Sequence, residues 1–351
     1  MKGILVRTKR ALALTAALVT AAALTACSSS SGSTADDPAG DAPEASTEFP
    51  ITIEHAYGET VITEQPERVA AIGWSNAEAV IALGVVPVGM DTQTYGDDDG
   101  DGVLPWTSDA LDALGGDAPV LFDTTDGIDF EGISDAAPDV IVAALSGVTQ
   151  EEYETLSEIA PTVPFPGLSW ATSWRDTILT NAQGIGLPAE GEQLVADLEA
   201  TIAEGVAAHP QIEGLTAAWT YINPTDFGTV GVYTTIDSRA AYLEDLGLVH
   251  APSVVALSKG VETFYVDISA ENVDQLDDVD VLFSYGTADL LEQLQADPLL
   301  GTIPAVERGS VVFIEDGTPL ASAVSPPSAL SLEWGLDEYL GLIAAAADKV
   351  E

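Results

Sequence analysis

Apolar residues recur every four positions in the middle of the chain, where Leu194, Leu198, Ile202 and Val206 fall on one face of the stretch 188–210. Pro188 suits a first helical position and Glu190 and Glu192 complement the positive end of the dipole, so the spacing predicts a single helix there. At 1.5 Å per residue, about 20 residues reach roughly 30 Å, enough to tie one lobe to another. Ahead of it, ITIEHAYGETVIT (51–63) alternates around Tyr57-Gly58 and predicts a β-hairpin. Short buried strands are then expected at 69–72, 86–88, 120–122, 140–143 and 162–163, with helices at 76–83, 109–114, 130–135, 150–159 and 174–185. Beyond residue 210 the same rhythm restarts. Strands are expected at 216–222, 230–232, near Val254, near Tyr265, at 279–283 and at 311–313, with helices at 238–246 and 337–348. Strands alternating with helices imply parallel sheets covered on both faces, here two Rossmann-like α/β lobes joined by one long helix.

Composition places this fold outside the cytoplasm. Residues 1–26 open with Lys2, Arg7, Lys9 and Arg10, continue through an Ala/Leu/Val-rich core and lead into LTAC, which has the form of an export signal. Cys27 is the only cysteine, so an internal disulfide, an iron–sulfur cluster and a Cys zinc site are excluded. The stretch 27–48 is rich in Ser, Gly, Thr, Asp and Pro and is expected to be a disordered tether. The remaining expected boundaries are an N-terminal lobe at 49–187, the spanning helix at 188–210 and a C-terminal lobe at 211–351. The formal charge of -47 excludes nucleic acid as a natural partner and repels anionic small molecules at long range, unless a local cation reverses the field inside a cleft.

Six stretches carry a family resemblance: PERVAAIGWSNAEAVIALGVVPVGM from Pro66, FEGISDAAPDVIVAALSG from Phe130, EIAPTVPF from Glu158, WATSW from Trp170, IDSRAAYLEDLGL from Ile236 and ISAENVDQL from Ile268. In this order the chain resembles the substrate-binding lipoproteins of ABC importers for ferric siderophores, haem and cobalamin. That resemblance implies the class III periplasmic-binding-protein fold. It also implies that LTAC is a lipobox, with cleavage before Cys27 and lipidation of its thiol, which would anchor the protein on the extracytoplasmic face of the cell membrane. One surface Glu per lobe is implied to dock onto the permease dimer, and Glu131 and Glu271 stand at those motif positions. The segments around them echo each other, each placing its Glu ahead of an Asp-Val that leads into a strand.

Ligands of open α/β sheets bind beyond the carboxyl ends of the strands. Aromatics gather there: Trp74, Tyr95, Trp106, Trp170, Trp174, Tyr221 and Tyr285 are the candidate ligand-binding rings. After the signal, the basic residues are Arg68, Arg175, Arg239, Lys259, Arg308 and Lys349, of which Arg175 and Arg239 begin helices expected to face the cleft and could grip ligand oxygens. The resemblance implies several pocket cations in members that take trianionic catecholate complexes, and this departure from that pattern favours a neutral or cationic ligand, such as a ferric hydroxamate of the ferrioxamine type. Iron inside a siderophore is already fully coordinated, so no cofactor and no protein metal ligand is expected, and His55, His209 and His250 have no ligand spacing. Asp97, Asp99, Asp101 and Gly102 match the start of a calcium loop, but the twelfth position is Ser108, which favours a solvated acidic loop. GWSNA imitates the nucleophile elbow of a serine hydrolase at Ser75, without a histidine in the same lobe downstream. The expected protein is thus a monomeric, non-enzymatic carrier that binds a ferric siderophore and hands it to an ABC permease. Haem or cobalamin binding, a hydrolase built on Ser75 and a surface adhesin are the alternatives.

Overall fold

The computed structural model describes residues 47–350. Cys27, the signal and the expected tether as far as residue 46 lie outside them. The first two strands, β1 (Ile51–His55) and β2 (Gly58–Ile62), form the expected antiparallel hairpin, with Ile51 opposite Ile62. Its inward residues Ile53 and Ile62 pack on the first sheet beside Val69, Val140 and Val163.

The N-terminal half continues with β3 (Val69–Ala71), α1 (Asn76–Ala82), β4 (Gly89–Asp91), α2 (Pro105–Leu114), β5 (Val120–Phe122), α3 (Phe130–Asp135), β6 (Val140–Ala143), α4 (Gln150–Ile159), β7 (Thr162–Pro164) and α5 (Trp174–Gly184). The strands form one parallel sheet in the order β5-β4-β3-β6-β7. Strands β3 and β6 are buried at every position, as a parallel sheet covered on both faces requires. Period two divides their side chains: Ala70, Ile72, Ile141 and Ala143 meet Ile133 of α3 and Leu156 of α4, while Val69, Ala71, Val140 and Val142 meet Val80 of α1.

The central helix is α6 (Pro188–Ala207), and a 3-10 turn at Pro210–Ile212 ends the stretch. Then follow β8 (Thr216–Asn223), β9 (Asp226–Tyr233), α7 (Ser238–Asp245), β10 (Val249–His250), α8 (Pro252–Ser258), β11 (Tyr265–Ser269), β12 (Val281–Tyr285), α9 (Ala288–Ala296), α10 (Pro304–Arg308), β13 (Val311–Ile314), α11 (Pro319–Ala323) and α12 (Ser331–Ala347). The second sheet has the order β11-β9-β8-β12-β13, with β10 pairing the start of β8. It is not wholly parallel: β9 runs against β8 and β11, because the Pro224-Thr225 link is far too short for a crossover. The strand expected near Val254 is instead helix α8, in which Pro252 occupies the first turn and Val254 alone is buried.

Helix α6 touches both halves. Leu198 and Ile202 join one core cluster that holds Ile178 of α5 on one side and Leu336, Tyr339 and Leu340 of α12 on the other. Near its start, Gly191 lets α6 approach α5 so closely that a Cβ there would lie 2.4 Å from that of Ala182. Gly191→Val is therefore expected to cost about 1–3 kcal/mol through overpacking, read as a lower urea midpoint, with Ala182→Gly restoring part of the loss. An unchanged midpoint would mean that α5 and α6 separate freely.

Candidate functional site

The site grows from the turn between β3 and α1. Ile72 leaves the sheet, Gly73 turns at φ +83, and Ser75 stands at φ +62 before Asn76 opens the helix. Gly73 is required here, since a Cβ would lie 2.6 Å from the carbonyl oxygen of Leu145. The side chain of Asn76 is fully buried and fixes the turn from inside. Its Nδ2 donates to the carbonyls of Ile72 (2.7 Å) and Leu145 (3.0 Å), and its Oδ1 accepts from the Leu145 amide (3.1 Å) and Asn181 Nδ2 (2.9 Å). Trp74 is thereby held at the mouth of the sheet, 41% exposed.

A second indole meets it from the link that follows the edge strand β7. Trp170, at φ +60, donates its backbone amide to the Ser146 carbonyl at 3.1 Å, and its ring lies 5.6 Å from that of Trp74. A side chain on Gly147 would strike the Trp170 indole 2.3 Å away. These two rings form a wall between two cavities. One, of about 310 Å³, lies over the ends of the N-terminal strands, lined by Gly73, Asp91, Gln93, Ser146 and Glu152 among others. The other, of about 260 Å³, lies between the halves, closed from the C-terminal side by Asp237, Arg239, Phe264 and Ser325.

Arg239 is the cation of this cleft. Its Nε donates to Asp237 Oδ1 at 2.8 Å and its Nη1 to Tyr285 Oη at 2.7 Å, while the guanidinium lies 4.1 Å over the Tyr233 ring. Burial opposes its charge, but Asp237 and the two phenols outweigh that effect and raise its pKa. Burial also raises the pKa of Asp237, against the pull of Arg239. The phenol of Tyr285 is bound in turn to Ser325 at 2.5 Å.

Tyr95 bridges the halves, donating to Asp316 Oδ1 at 2.8 Å. It borders a third, small cavity with Ser75, Glu78 and Trp106. Glu78 is buried and its pKa is raised by desolvation. Trp106 itself is only 4% exposed, packed with Leu104 and Ala323 and 5.0 Å from the Trp334 ring, so it seals the halves together more than it faces the cleft.

Three sequence candidates stand apart from the cleft. Trp174 is buried and donates from Nε1 to Asp245 Oδ2 at 2.8 Å. Arg175 is held by Glu199 at 2.6 Å and Asp245 at 2.9 Å, so acids from α6 and α7 consume the charge expected to meet a ligand. Tyr221 is exposed on β8 and borders none of these three cavities. Trp74, Trp170, Arg239 and Tyr285 come together. Asp91, Gln93, Asp237, Phe264 and Ser325 join them without being candidates on the sequence. Strand-end position marks Asp91 and Gln93, which end or follow β4, but a rule that selects rings and cations at strand ends passes over an acid and an amide.

Glu131 and Glu271 are both exposed, in the first turns of α3 and of the 3-10 segment Ala270–Leu276. The carboxylates of Asp97, Asp99 and Asp101 lie within 4.8 Å of one another, and those of Asp97 accept from the amides of Gly100 and Gly102, which accounts for them as a turn. No histidine among the described residues bonds to Ser75: His55 is tied to Thr60 at 3.0 Å, and His250 lies 3.9 Å from Glu244.

Among solved structures, the chain is similar to PiaA of Streptococcus pneumoniae TIGR4 in complex with ferrichrome, at 42% identity and TM-score 0.82, covering 86% of this chain and 100% of that one. Among curated proteins it is similar to the probable siderophore-binding lipoprotein YfiY of Bacillus subtilis, 26% identical over 285 residues, 78% of this chain and 82% of the relative. The ferric-anguibactin-binding protein FatB of Vibrio anguillarum is 25% identical over 311 residues, 84% of this chain and 87% of that one. Residues 69–317, which hold both sheets and the helix between them, match the periplasmic binding protein family model, and the chain belongs to that family.

Proposed function

We propose that this protein is the substrate-binding component of an ABC importer and captures a ferric siderophore of the hydroxamate type between its two sheets. One observation carries the reading: the exposed Trp74–Trp170 pair lines one cavity with the largely buried guanidinium of Arg239, whose charge Asp237 already balances. Rings suit the apolar flanks of a chelate, and Arg239 supplies fixed donors for its oxygens without presenting a net positive field. A trianionic catecholate complex would find no excess of positive charge here. The similarity to a pneumococcal protein whose structure holds ferrichrome supports the same ligand class. Iron arrives inside the siderophore, so the protein serves as a carrier without cofactor or catalytic step. Lipidation of Cys27 would hold it, as a monomer, on the extracytoplasmic face of the membrane, a reading supported by relatives named as lipoproteins.

Glu131 and Glu271 are the proposed contacts to the permease dimer. Two exposed like charges, one beside each sheet of a stiff body, orient and steer it toward a symmetric basic partner.

Titrating tryptophan fluorescence with ferrichrome, a ferrioxamine, a ferric catecholate, haem and cobalamin tests the ligand class. Both hydroxamates should respond at the lowest concentrations, and silence toward both would overturn the reading. Glu131→Arg combined with Glu271→Arg should abolish uptake into cells while ligand affinity stays within about twofold, because exposed charges away from the cleft contribute little to it. A matching fall in affinity would place the two residues in the fold or the pocket instead.

A further inference from the structure

The cavity over the N-terminal strands is lined by two carboxyl groups, Asp91 and Glu152, and by no basic side chain. They are not equivalent. Among the described residues each has one bonded and one free oxygen. Glu152, however, tied through Oε2 to the amide and hydroxyl of Thr149 at 2.7 and 2.8 Å in a capping box, lies at the solvent-exposed start of α4, whereas Asp91 is largely desolvated. Asp91 ends β4 and accepts from the Gly73 amide through Oδ2 at 2.7 Å, while Oδ1 accepts no hydrogen bond from the described residues. The bond to Gly73 needs one oxygen and no charge, so a neutral amide would serve the turn equally well. A largely buried carboxylate with a free oxygen and no counter-ion is costly, and a cation entering the cavity would relieve that cost. The other cavity offers no such demand, because Asp237 and Arg239 already neutralise each other.

We propose that Asp91 determines specificity by binding a cationic group, a primary ammonium carried by the ferric hydroxamate, so that the cleft prefers a positively charged chelate to a neutral one of the same core. This rests on the siderophore reading above and adds the charge of the ligand to it. The Trp74–Trp170 wall separates the two demands: the chelate faces Arg239 on one side, and its charged arm reaches Asp91 on the other.

The arrangement is pH-dependent. Burial, and then the like charge of Asp129, hold the Asp91 pKa up at about 6, against the Gly73 amide that lowers it. The charged groups turned toward Asp91 are Asp129 at the start of α3 and Glu152 on α4, both acidic; the β3–α1 turn presents only the Gly73 amide. Asp91 is therefore ionised above about pH 6 and loses its charge below it, whereas an alkyl ammonium keeps its own throughout. Preference for the cation should be full at neutral pH and fade as the solution is acidified past pH 6.

Ferrioxamine B, which ends in a free amine, and its N-acetyl derivative share one chelate and differ in this charge alone. By fluorescence titration at pH 7.5, the wild-type protein should bind the amine form about tenfold more tightly or better, the scale of one hydrogen bond to a charged group. In Asp91→Asn the ratio should fall to about one. If that variant folds poorly, the wild-type ratio measured from pH 7.5 to pH 5 tests the same point by shrinking toward one. Equal affinities in the wild type at pH 7.5, a preference that survives the substitution in a folded variant, or one that survives acid in the wild type, would overturn the role of Asp91 alone. Failure of both forms, and of ferrichrome, to bind at all would remove the siderophore reading and this inference with it.

Discussion

A buried amide, Asn76, holds the cleft in place. Its side chain reaches three separate pieces of chain: the exit of β3, the exit of β6 at Leu145 and the middle of α5 at Asn181. Burying an amide is tolerable only because each of its hydrogen-bonding positions is used, and removing one partner would expose the others to a penalty of about 1–3 kcal/mol each. Through Leu145 it sets the loop that supports Trp170, and through its own backbone it sets Trp74. Through Asn181 it ties both to α5, which packs directly on the central helix. The placement of the ring wall and the placement of the brace are thus one problem with one solution.

The brace is broader than a single helix. A continuous core runs from Ile178 of α5 through Leu198 and Ile202 of α6 into Trp219, Phe283 and Tyr339 of the C-terminal half. Around it, Arg175 joins α5 to Glu199 of α6 and Asp245 of α7, Tyr95 reaches Asp316, and Trp106 packs against Trp334. Opening the cleft widely would expose this apolar surface to water and part these polar links together. Small hinge movements are compatible with such a body, and large ones are not. Affinity in such a cleft comes from pre-organisation, since little of it is lost to ordering the walls.

The architecture is legible in the sequence because it depends on periodicity. Strands such as Val140–Ala143 and helices such as Gln150–Ile159 show their burial in the order of apolar residues, and the central helix begins at the proline that suits a first turn. Val254 misleads because the short apolar run 254–257 suits a strand or a short helix equally, and only Pro252 favours the latter. The site is legible by half. Strand ends locate Trp74 and Tyr285, but chain position does not reveal which acid will claim a cation: Arg175 and Arg239 both begin helices, and only the fold brings Glu199 and Asp245 to the first. Asp91 is hidden in a chain so rich in acids, where one more carries no signal until burial separates it from the solvated rest.

That separation also bears on how so acidic a protein could discriminate by charge, as proposed for Asp91. The formal charge of -47 acts on an approaching ligand only within about a Debye length, roughly 8 Å at physiological ionic strength, and most of it is spread over solvated surface. Inside the cleft the screening is weaker and a few groups decide the outcome. Arg239 is balanced by Asp237, Glu78 is driven toward its neutral form by burial, and Asp91 with Glu152 leaves the remaining wall negative. Surface and interior therefore act in the same sense: the outer field disfavours the approach of polyanionic chelates, and the inner wall offers them no counter-charge. A carrier for catecholate complexes would need the opposite interior, with cations in excess beneath the acidic surface. On the proposed reading, the guanidinium of Arg239 orients oxygens and the discrimination by charge falls to the carboxylates.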